Sequence, residues 1–445
     1  MKYVVIFAIL GLLAASAAFC QQDGFRYHLN AEQVLYRDGV PHIDSNGKTR
    51  LKYDAQKSFL PILLYHCVNT LDAEGKILTP LDVVRKAGFN GVHTNRPIDM
   101  AYMDRLQANG LKMVKCQVDE ATAKQFAKHP ALLGWDIFDE PDGDGVWAAY
   151  PERMKIFENT RKMIRKYDKT HPMFVNNVAW ITPPNAPFWA KWQMAGDIAC
   201  HDNYPITLDR LKSLSSINGI PESVTLATMV NNQKKPVWLI LQTFKDSGRW
   251  AYPTPAEIRS MVYASIVHGA TGIDYFMLDN YVGREGDIIG MSPTPMSVYP
   301  GQKSPLKADD AMMRKMKEMW DSVADINHEI EQLTPYILSP TSKDDYKVYI
   351  KGDAKYDALE VNGQYVPSRD PIRALLKERN GKYVMMVVNI NADKMDVRVQ
   401  LGTKSPVESV TPMFENRGSI SCTSNTFQDS FDAFAVHIYE FSPKK

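Results

Sequence analysis

Eight short apolar runs recur through the middle of the chain, and they constrain its fold more than any other feature. They are Phe59–Cys67, Gly91–Asn95, Leu111–Val118, Leu132–Glu140, Met173–Trp180, Asp197–Tyr204, Pro236–Phe244 and Gly272–Asn280. Amphipathic segments separate them, among them Leu81–Ala87, Tyr102–Ala108 and Ala256–Val267. In the fourth interval Phe157, Thr160, Ile164 and Tyr167 recur at helical spacing, with Lys and Arg between them. Nearly continuous apolar strands alternating with helices imply a parallel sheet covered on both faces. Eight such units in about 220 residues match a (β/α)8 barrel. An open doubly wound sheet would alternate in the same way, but no Gly-rich phosphate-binding loop follows the first run. The expected fold class is α/β, a (β/α)8 TIM barrel over residues 58–338.

The texture changes on either side. Met312, Met313, Met316, Met319, Trp320 and Val323 mark a long helix that fades near Leu338, and a methionine stripe at this spacing reads as core. Beyond it Tyr383–Asn389 follows an Asn380-Gly381 turn. Met395, Val397, Val399 and Leu401 alternate with polar residues, and Phe434, Val436 and Ile438 do the same. Period-two patterns between turn signals predict antiparallel strands, so 339–445 is expected to be a β-sandwich accessory domain. Residues 21–57, with Asp38-Gly39 and Asn46-Gly47 turns, are expected to form a lead-in hairpin at the bottom of the barrel.

Residues 1–20 have the order of a signal peptide. Lys2 precedes an apolar run from Val4 to Leu13, and Ala14-Ala15-Ser16-Ala17-Ala18 follows. Cleavage near Ala18 to Cys20 predicts a secreted, extracellular protein without membrane insertion, since no later stretch reaches the roughly 20 apolar residues of a membrane helix. A lipid-anchored Cys20 is disfavoured by Phe19, where a small residue belongs. The 52 basic and 51 acidic residues leave a net charge of +1, which gives no support to nucleic-acid binding. Cys67, Cys116, Cys200 and Cys422 are too few for a disulfide framework in a chain of this length, and three of them fall in apolar runs as expected for buried thiols. Their spacing points to no metal site, and neither metal nor organic cofactor is implied.

Barrel active sites lie at the C-terminal ends of the strands. The residues at those ends are Tyr65-His66-Cys67, His93-Thr94-Asn95, Gln117 with Asp119 and Glu120, Asp139-Glu140-Pro141, Asn176 with Asn177 and Trp180, Asp202-Asn203-Tyr204, Gln242-Thr243-Phe244 and Asp279-Asn280-Tyr281. Each alone is weak evidence, because strand ends are wet and Asp and Asn favour turns. Carboxylates, amides and aromatics converging on one mouth suit a hydroxyl-rich ligand that stacks on rings, a carbohydrate. Trp180 and Trp250 follow strand ends and are expected in the cleft, whereas Trp135 and Trp238 lie early in their strands and are expected in the core. The acidic stretch at 142–144 and the Arg284-Glu285-Gly286-Asp287 segment read as solvated turns.

Gly134-Trp135-Asp136-Ile137-Phe138-Asp139-Glu140-Pro141 resembles the fourth-strand motif of the large retaining glycoside hydrolase clan with (β/α)8 barrels. Phe59-Leu60-Pro61-Ile62, Asp202-Asn203-Tyr204-Pro205 and His268-Gly269-Ala270-Thr271-Gly272 are similar to stretches of its secreted members, as is Val436-His437-Ile438-Tyr439 in the closing sandwich. The resemblance covers most of 55–445. It implies Glu140 as catalytic acid/base with Asp139 beside it. Gln242, Asp202, Tyr204, Asn176, Asn95, His93, Trp180 and Asp279 are the expected substrate-binding residues.

One departure stands against the match. The clan places its nucleophilic Glu at the end of strand seven, where this chain has Gln242. An amide cannot form the glycosyl ester of a retaining mechanism. Three readings stay open. In one, Asp139 orients a substrate acetamido group that acts as nucleophile. In the second, Asp202 or Asp279 serves as base or nucleophile. In the third, hydrolysis is lost and the protein is a non-catalytic carbohydrate-binding or matrix protein.

Overall fold

The computed structural model describes residues 39–44, 46, 48–50, 59–67, 80–143, 149–182, 185–210, 212–231, 234–283, 286–292, 309–339, 342–350, 359–361, 364–366 and 370–444. The expected signal peptide and most of the lead-in segment lie outside the described residues.

Eight parallel strands close a barrel: β1 (Ile62–Tyr65), β2 (Gly91–Thr94), β3 (Lys112–Cys116), β4 (Leu132–Asp139), β5 (Met173–Val178), β6 (Ala199–Asn203), β7 (Val237–Gln242) and β8 (Gly272–Phe276). The ring shuts where β8 pairs with β1, with Ile273 opposite Ile62 and Tyr275 opposite Leu64. Around it run α1 (Leu81–Lys86), α2 (Met100–Ala108), α3 (Glu120–Phe126), α4 (Tyr150–Ile164), α5 (Ala186–Ala195), α6 (Ile220–Val230), α7 (Pro255–Val267) and α8 (Asp310–Ile337).

Local chemistry starts several of these helices. Asp99, Asp119 and Asp309 each accept the backbone N–H three residues on, capping α2, α3 and α8. Thr254 and Glu257 form a reciprocal capping box on α7, with Pro255 at its first position. On α8 the buried stripe of Met316, Met319, Trp320, Val323, Ile326, Ile330, Leu333 and Ile337 repeats every three or four residues, so Met316 and Met319 are core as expected, while Met312 and Met313 are only half-buried.

Two apolar layers result. The shell between strands and helices contains Leu64, Val92, Met113, Trp135, Ile137, Phe157, Leu239 and Ile273. The lumen is filled by Leu63, Tyr65, Val114, Cys116, Leu133, Phe174, Cys200, Trp238 and Ile240. Trp135 and Trp238 are thus core residues. Trp135 Nε1 donates to Asp168 Oδ2 at 2.6 Å, and Trp238 Nε1 to the Gly39 carbonyl at 2.6 Å. The second bond plugs the bottom of the barrel with the lead-in segment. A Cβ at Gly39 would lie 2.4 Å from the Thr271 carbonyl and 2.5 Å from that of Phe59, so only glycine fits. Of the lead-in itself, His42–Ile43 and Thr49–Arg50 form a short antiparallel pair.

The C-terminal region is a sandwich of antiparallel sheets. Its strands are β11 (Tyr346–Ile350), β14 (Ile372–Arg379), β15 (Lys382–Asn389), β16 (Met395–Leu401), β17 (Ser409–Met413), β18 (Ile420–Ser421), β19 (Thr426–Phe431) and β20 (Val436–Phe441). Numbers β9 and β10 belong to an antiparallel hairpin after the barrel (Asn280–Gly283 and Gly286–Ile289), and β12 and β13 to a small ribbon (Leu359–Val361 and Gln364–Val366). A three-stranded sheet ordered β11-β16-β19 faces a five-stranded sheet ordered β14-β15-β20-β17-β18. Alternation along β15 divides its side chains. Met385 and Val387 enter the sandwich core, while Val384, Met386 and Val388 join the barrel shell. Backbone bonds from Leu214 to Ile390 and from Ala392 to Lys212, with Ser260 Oγ donating to the Asn389 carbonyl, fasten the two regions.

Two loop readings are corrected. Gly286 and Asp287 lie in β10, where pairing with β9 satisfies their backbone, and Arg284 and Glu285 lie outside the described residues. Asp142 is half-buried rather than a solvated turn, because its Oδ1 accepts from Asn177 Nδ2 at 3.2 Å and from the Val178 N–H at 3.1 Å. Cys67, Cys116 and Cys200 are buried thiols. Among the described residues no helix is long and apolar enough to cross a membrane.

Candidate active site

The carboxylates at the mouth owe their placement to two irregularities in β4. Against β3, Met113 opposes Leu132 but Val114 opposes Gly134, so Leu133 is an extra residue. Along its pairing with β5, Asp136 opposes Phe174 but Phe138 opposes Val175, so Ile137 is an extra residue. Such a bulge reverses the inside–outside alternation beyond it. Ile137 and Phe138 consequently both pack into the shell, and Asp139 returns to the barrel axis. Glu140 then takes a positive φ of 45°, and its N–H donates to the Asn176 carbonyl at 2.8 Å. A bulky residue in this region carries backbone strain, a feature that clusters at functional sites.

Asn176 on β5 holds the group together. Its Nδ2 donates to Asp139 Oδ1 at 3.1 Å and lies 3.5 Å from Asp202 Oδ2 on β6. Asp202 is buried and shares a side-chain hydrogen bond with Glu140. Burial, and then the charges of Glu140 and Asp139, push the Asp202 carboxyl well above the usual range. Asp139 and Glu140 are exposed at the mouth. Although Asp139 keeps contact with solvent there, the protein around it desolvates its carboxyl, and Asp136 and Glu140 add like charge. It is raised to about 7. Asp142, desolvated beside the same group, is also raised to about 7. Burial and mutual repulsion thus push the carboxyls of the mouth upward together.

Aromatic rings cover the neighbouring wall. Phe276, at the end of β8, lies 5.1 Å from Tyr65, 5.3 Å from Phe244 and 5.7 Å from Tyr204, onto which it stacks. Trp250 stands edge-on 6.0 Å from Tyr204 and 5.4 Å from Phe244. Trp180 follows β5 and is 39% exposed. One side of the opening is thus acidic and the other offers ring faces.

Three expected binding residues are engaged elsewhere. Gln242 is fully buried at the end of β7. Its Oε1 accepts from the Ile206 N–H at 2.9 Å, and its Nε2 lies 3.0 Å from the Ile206 carbonyl, 2.9 Å from that of Ala251 and 3.3 Å from that of Phe244. The amide clips the loop after β6 to the loop after β7 and offers nothing to the mouth. His93 is 1% exposed and lies in the lumen. Its Nδ1 is 2.6 Å from Asp274 Oδ2, and its Nε2 is 3.0 Å from Cys116 Sγ and 3.3 Å from Asp136 Oδ2. Asp279, also buried, forms an ion pair with Arg96 Nη2 at 3.0 Å and is raised to about 7 by burial against the pull of that guanidinium. Asn95 is half-buried at the end of β2 and hydrogen-bonds the His66 ring.

Glu140, Asp202, Gln242 and Asp279 nevertheless all belong to the C-terminal ends of their strands, the same end of the barrel. Sequence reasoning passed over Asp136, Asp274, Arg96 and Phe276 and gave no site role to Asp142 or Cys116. Asp136 and Asp274 carried a signal, since each is a charge inside an otherwise apolar run.

No family model matches the chain, and no curated protein matches it. Solved structures share its architecture. An alpha-amylase from Anoxybacillus, assigned to a new glycosyl hydrolase subclass, superposes with a TM-score of 0.50 at 8% identity, covering 88% of this chain and 100% of that one. An alpha-amylase from Geobacillus thermoleovorans in complex with acarbose gives 0.49 at 9%, covering 86% and 99%. A beta-galactosidase from Bacillus circulans sp. alkalophilus gives 0.48 at 11%, covering 80% and 95%. At these identities the likeness is one of fold. The chain is a (β/α)8 barrel with C-terminal antiparallel sheets, the architecture of barrel glycoside hydrolases. Activity is a separate matter that the site must answer.

Proposed function

We propose that the chain is an exported carbohydrate-active protein that hydrolyses a glycosidic bond, with Glu140 as general acid/base. The observation that carries this reading is the meeting of Asp139, Glu140 and Asp202 at the mouth, beside the rings of Tyr204, Trp250 and Phe276. A sugar presents a hydroxylated edge to carboxylates and an apolar face to rings, so both walls have a use. Export is supported by the charge, apolar core and small-residue order of residues 1–20.

Glu140 and Asp202 are within hydrogen-bonding distance of each other. Two carboxyls that flank a glycosidic bond stand about 5 Å apart in retaining enzymes and roughly 6.5–9.5 Å in inverting ones. A pair in such close contact does not favour an acid and a nucleophile facing each other across one sugar ring, and Gln242 supplies no carboxylate. Substrate assistance fits best. The acetamido oxygen of an N-acetylhexosaminide attacks the anomeric carbon as the bond to the leaving oxygen breaks, and Glu140 gives that oxygen its proton. Asp139, ionised, accepts the acetamido N–H and offsets the positive ring that forms. Water, deprotonated by Glu140, then opens the ring with net retention. Asp202, its carboxyl pushed up by burial, stays beside Glu140 through both steps. Because Asp139 ionises near 7, activity should rise as the pH passes upward through about 7.

A panel of aryl and natural glycosides, with calorimetry alongside, tests this. N-acetylhexosaminides should be the substrates, a thiazoline mimic of the cyclic intermediate should inhibit, and Glu140→Gln should lower turnover about 10²-fold or more. The buried amide of Gln242 favours a second reading, a carbohydrate-binding protein without hydrolysis, and sugar binding without turnover would establish it. Neither binding nor turnover on the panel would defeat both.

A further inference from the structure

Beneath the mouth, inside the barrel, lies a cluster that the proposed reaction does not use. His93 from β2, Cys116 from β3 and Asp136 from β4 bring one donor atom each to within 4.8 Å of one another. All three side chains are buried: His93 is 1% exposed and the other two 0%. The separations are 3.0 Å from His93 Nε2 to Cys116 Sγ, 3.3 Å from Nε2 to Asp136 Oδ2, and 3.6 Å from Sγ to Oδ2.

We propose that His93 Nε2, Cys116 Sγ and Asp136 Oδ2 form a binding site for one zinc-class divalent cation in the barrel lumen. Three lines of geometry and chemistry support it. First, tetrahedral zinc with bonds of about 2.0–2.3 Å to nitrogen, oxygen and sulfur separates its ligands by roughly 3.3–3.6 Å. Two of the three observed edges have that length, and the N–S edge would open by about half an ångström. Second, His93 Nδ1 is 2.6 Å from Asp274 Oδ2. A carboxylate on the far nitrogen fixes the tautomer that leaves Nε2 as a lone-pair donor, the outer-shell arrangement of zinc-bound histidines. Third, Asp136 Oδ1 and Asp274 Oδ1 have no hydrogen-bond partner despite their burial, so the cluster is incompletely satisfied by protein alone.

Thiolate, imidazole and carboxylate together select zinc, or cobalt as its spectroscopic substitute, over magnesium or calcium. The site ties β2, β3, β4 and, through Asp274, β8. It supplies no group to the proposed glycosidase chemistry, although Asp136 also adds its charge to the surroundings of Asp139 at the mouth.

The test uses the full chain refolded with and without zinc or cobalt, so that access to the lumen does not limit loading. The expected result is one tightly held ion per chain, release of about two protons per ion at neutral pH, a raised thermal midpoint, and a thiolate-to-cobalt charge-transfer band with tetrahedral d–d absorption. Cys116→Ser should lose the band and the ion, Cys67→Ala should keep both, and Asp274→Asn should weaken affinity about 10–100-fold. Circular dichroism of each variant shows that the fold survives. Absence of stoichiometric zinc after refolding of the folded wild type would overturn the proposal. So would metal binding that Cys116→Ser leaves unchanged.

Discussion

Replacing Gln242 by Glu would restore the residue type that the resembled clan carries at this position, and the bonding environment of Gln242 predicts that the protein will not accept it. The amide oxygen accepts one backbone N–H, and the amide nitrogen faces the carbonyls of Ile206, Ala251 and Phe244 at 3.0, 2.9 and 3.3 Å. An ionised carboxylate would oppose three carbonyl oxygens in a fully buried site. It must therefore take up a proton, which at pH 7 costs about 3.7 kcal/mol from an ordinary glutamate pKa of roughly 4.3. Even protonated it donates one hydrogen where the amide donates two, leaving at least one buried carbonyl unpaired at about 1–3 kcal/mol. The total is about 5–7 kcal/mol at pH 7, comparable to the whole stability of many domains. The folded-state pKa of the introduced carboxyl is raised. Its penalty is therefore small below the unfolded value and grows by about 1.4 kcal/mol per pH unit above it. Urea denaturation of Gln242→Glu at pH 5 and pH 7, followed by tryptophan fluorescence, measures this directly. The deficit should narrow to about 2–4 kcal/mol at pH 5, while Gln242→Met, which has the lost bonds but no charge, should show no such slope. A Gln242→Glu protein within about 1 kcal/mol of wild type at pH 7, with no pH slope, would refute the reasoning. If it also hydrolysed ordinary glycosides, the substrate-assisted reading would fall with it.

Asp202→Asn removes a buried carboxyl whose pKa is raised by burial and by Glu140 and Asp139. Wild-type stability should decline as the pH rises above the ordinary carboxylate range, and the variant should show a flatter profile in denaturation at pH 4, 6 and 8. Arg96→Ala strips Asp279 of its buried counter-charge and should cost about 3–5 kcal/mol by the same assay; a loss under 1 kcal/mol would mean that the pair is not desolvated. Trp180→Ala, at a residue 39% exposed, should change stability by no more than about 0.5 kcal/mol while weakening sugar binding by calorimetry. Unchanged affinity would remove Trp180 from the cleft.

The barrel was legible in the chain because its signal is local and repeated. Each run from Phe59–Cys67 to Gly272–Asn280 is apolar on both faces, and each interval has helical spacing or a cap such as Asp99, Asp119 or Thr254 with Glu257. The sandwich was legible for the same reason, through the strict alternation of Met395, Val397, Val399 and Leu401. The candidate acids were named from a motif, since Asp139-Glu140-Pro141 is contiguous. What the linear order could not convey is where each polar side chain spends its hydrogen bonds. Gln242 reads as a mouth residue by position, yet its partners Ile206 and Ala251 lie 36 and 9 residues away and exist only once two loops have met. His93 reads as a substrate ligand, but its partner Asp274 is 181 residues distant. The bulge at Leu133 precedes Asp136, which faces the lumen, and the bulge at Ile137 returns Asp139 to the mouth. A bulge is a property of the pairing between β4 and its neighbours, not of any strand alone. Periodicity determines which elements form because it acts within a few residues. The site is decided by register and burial across the closed barrel, where contacts between distant strands set both the direction and the protonation of every group.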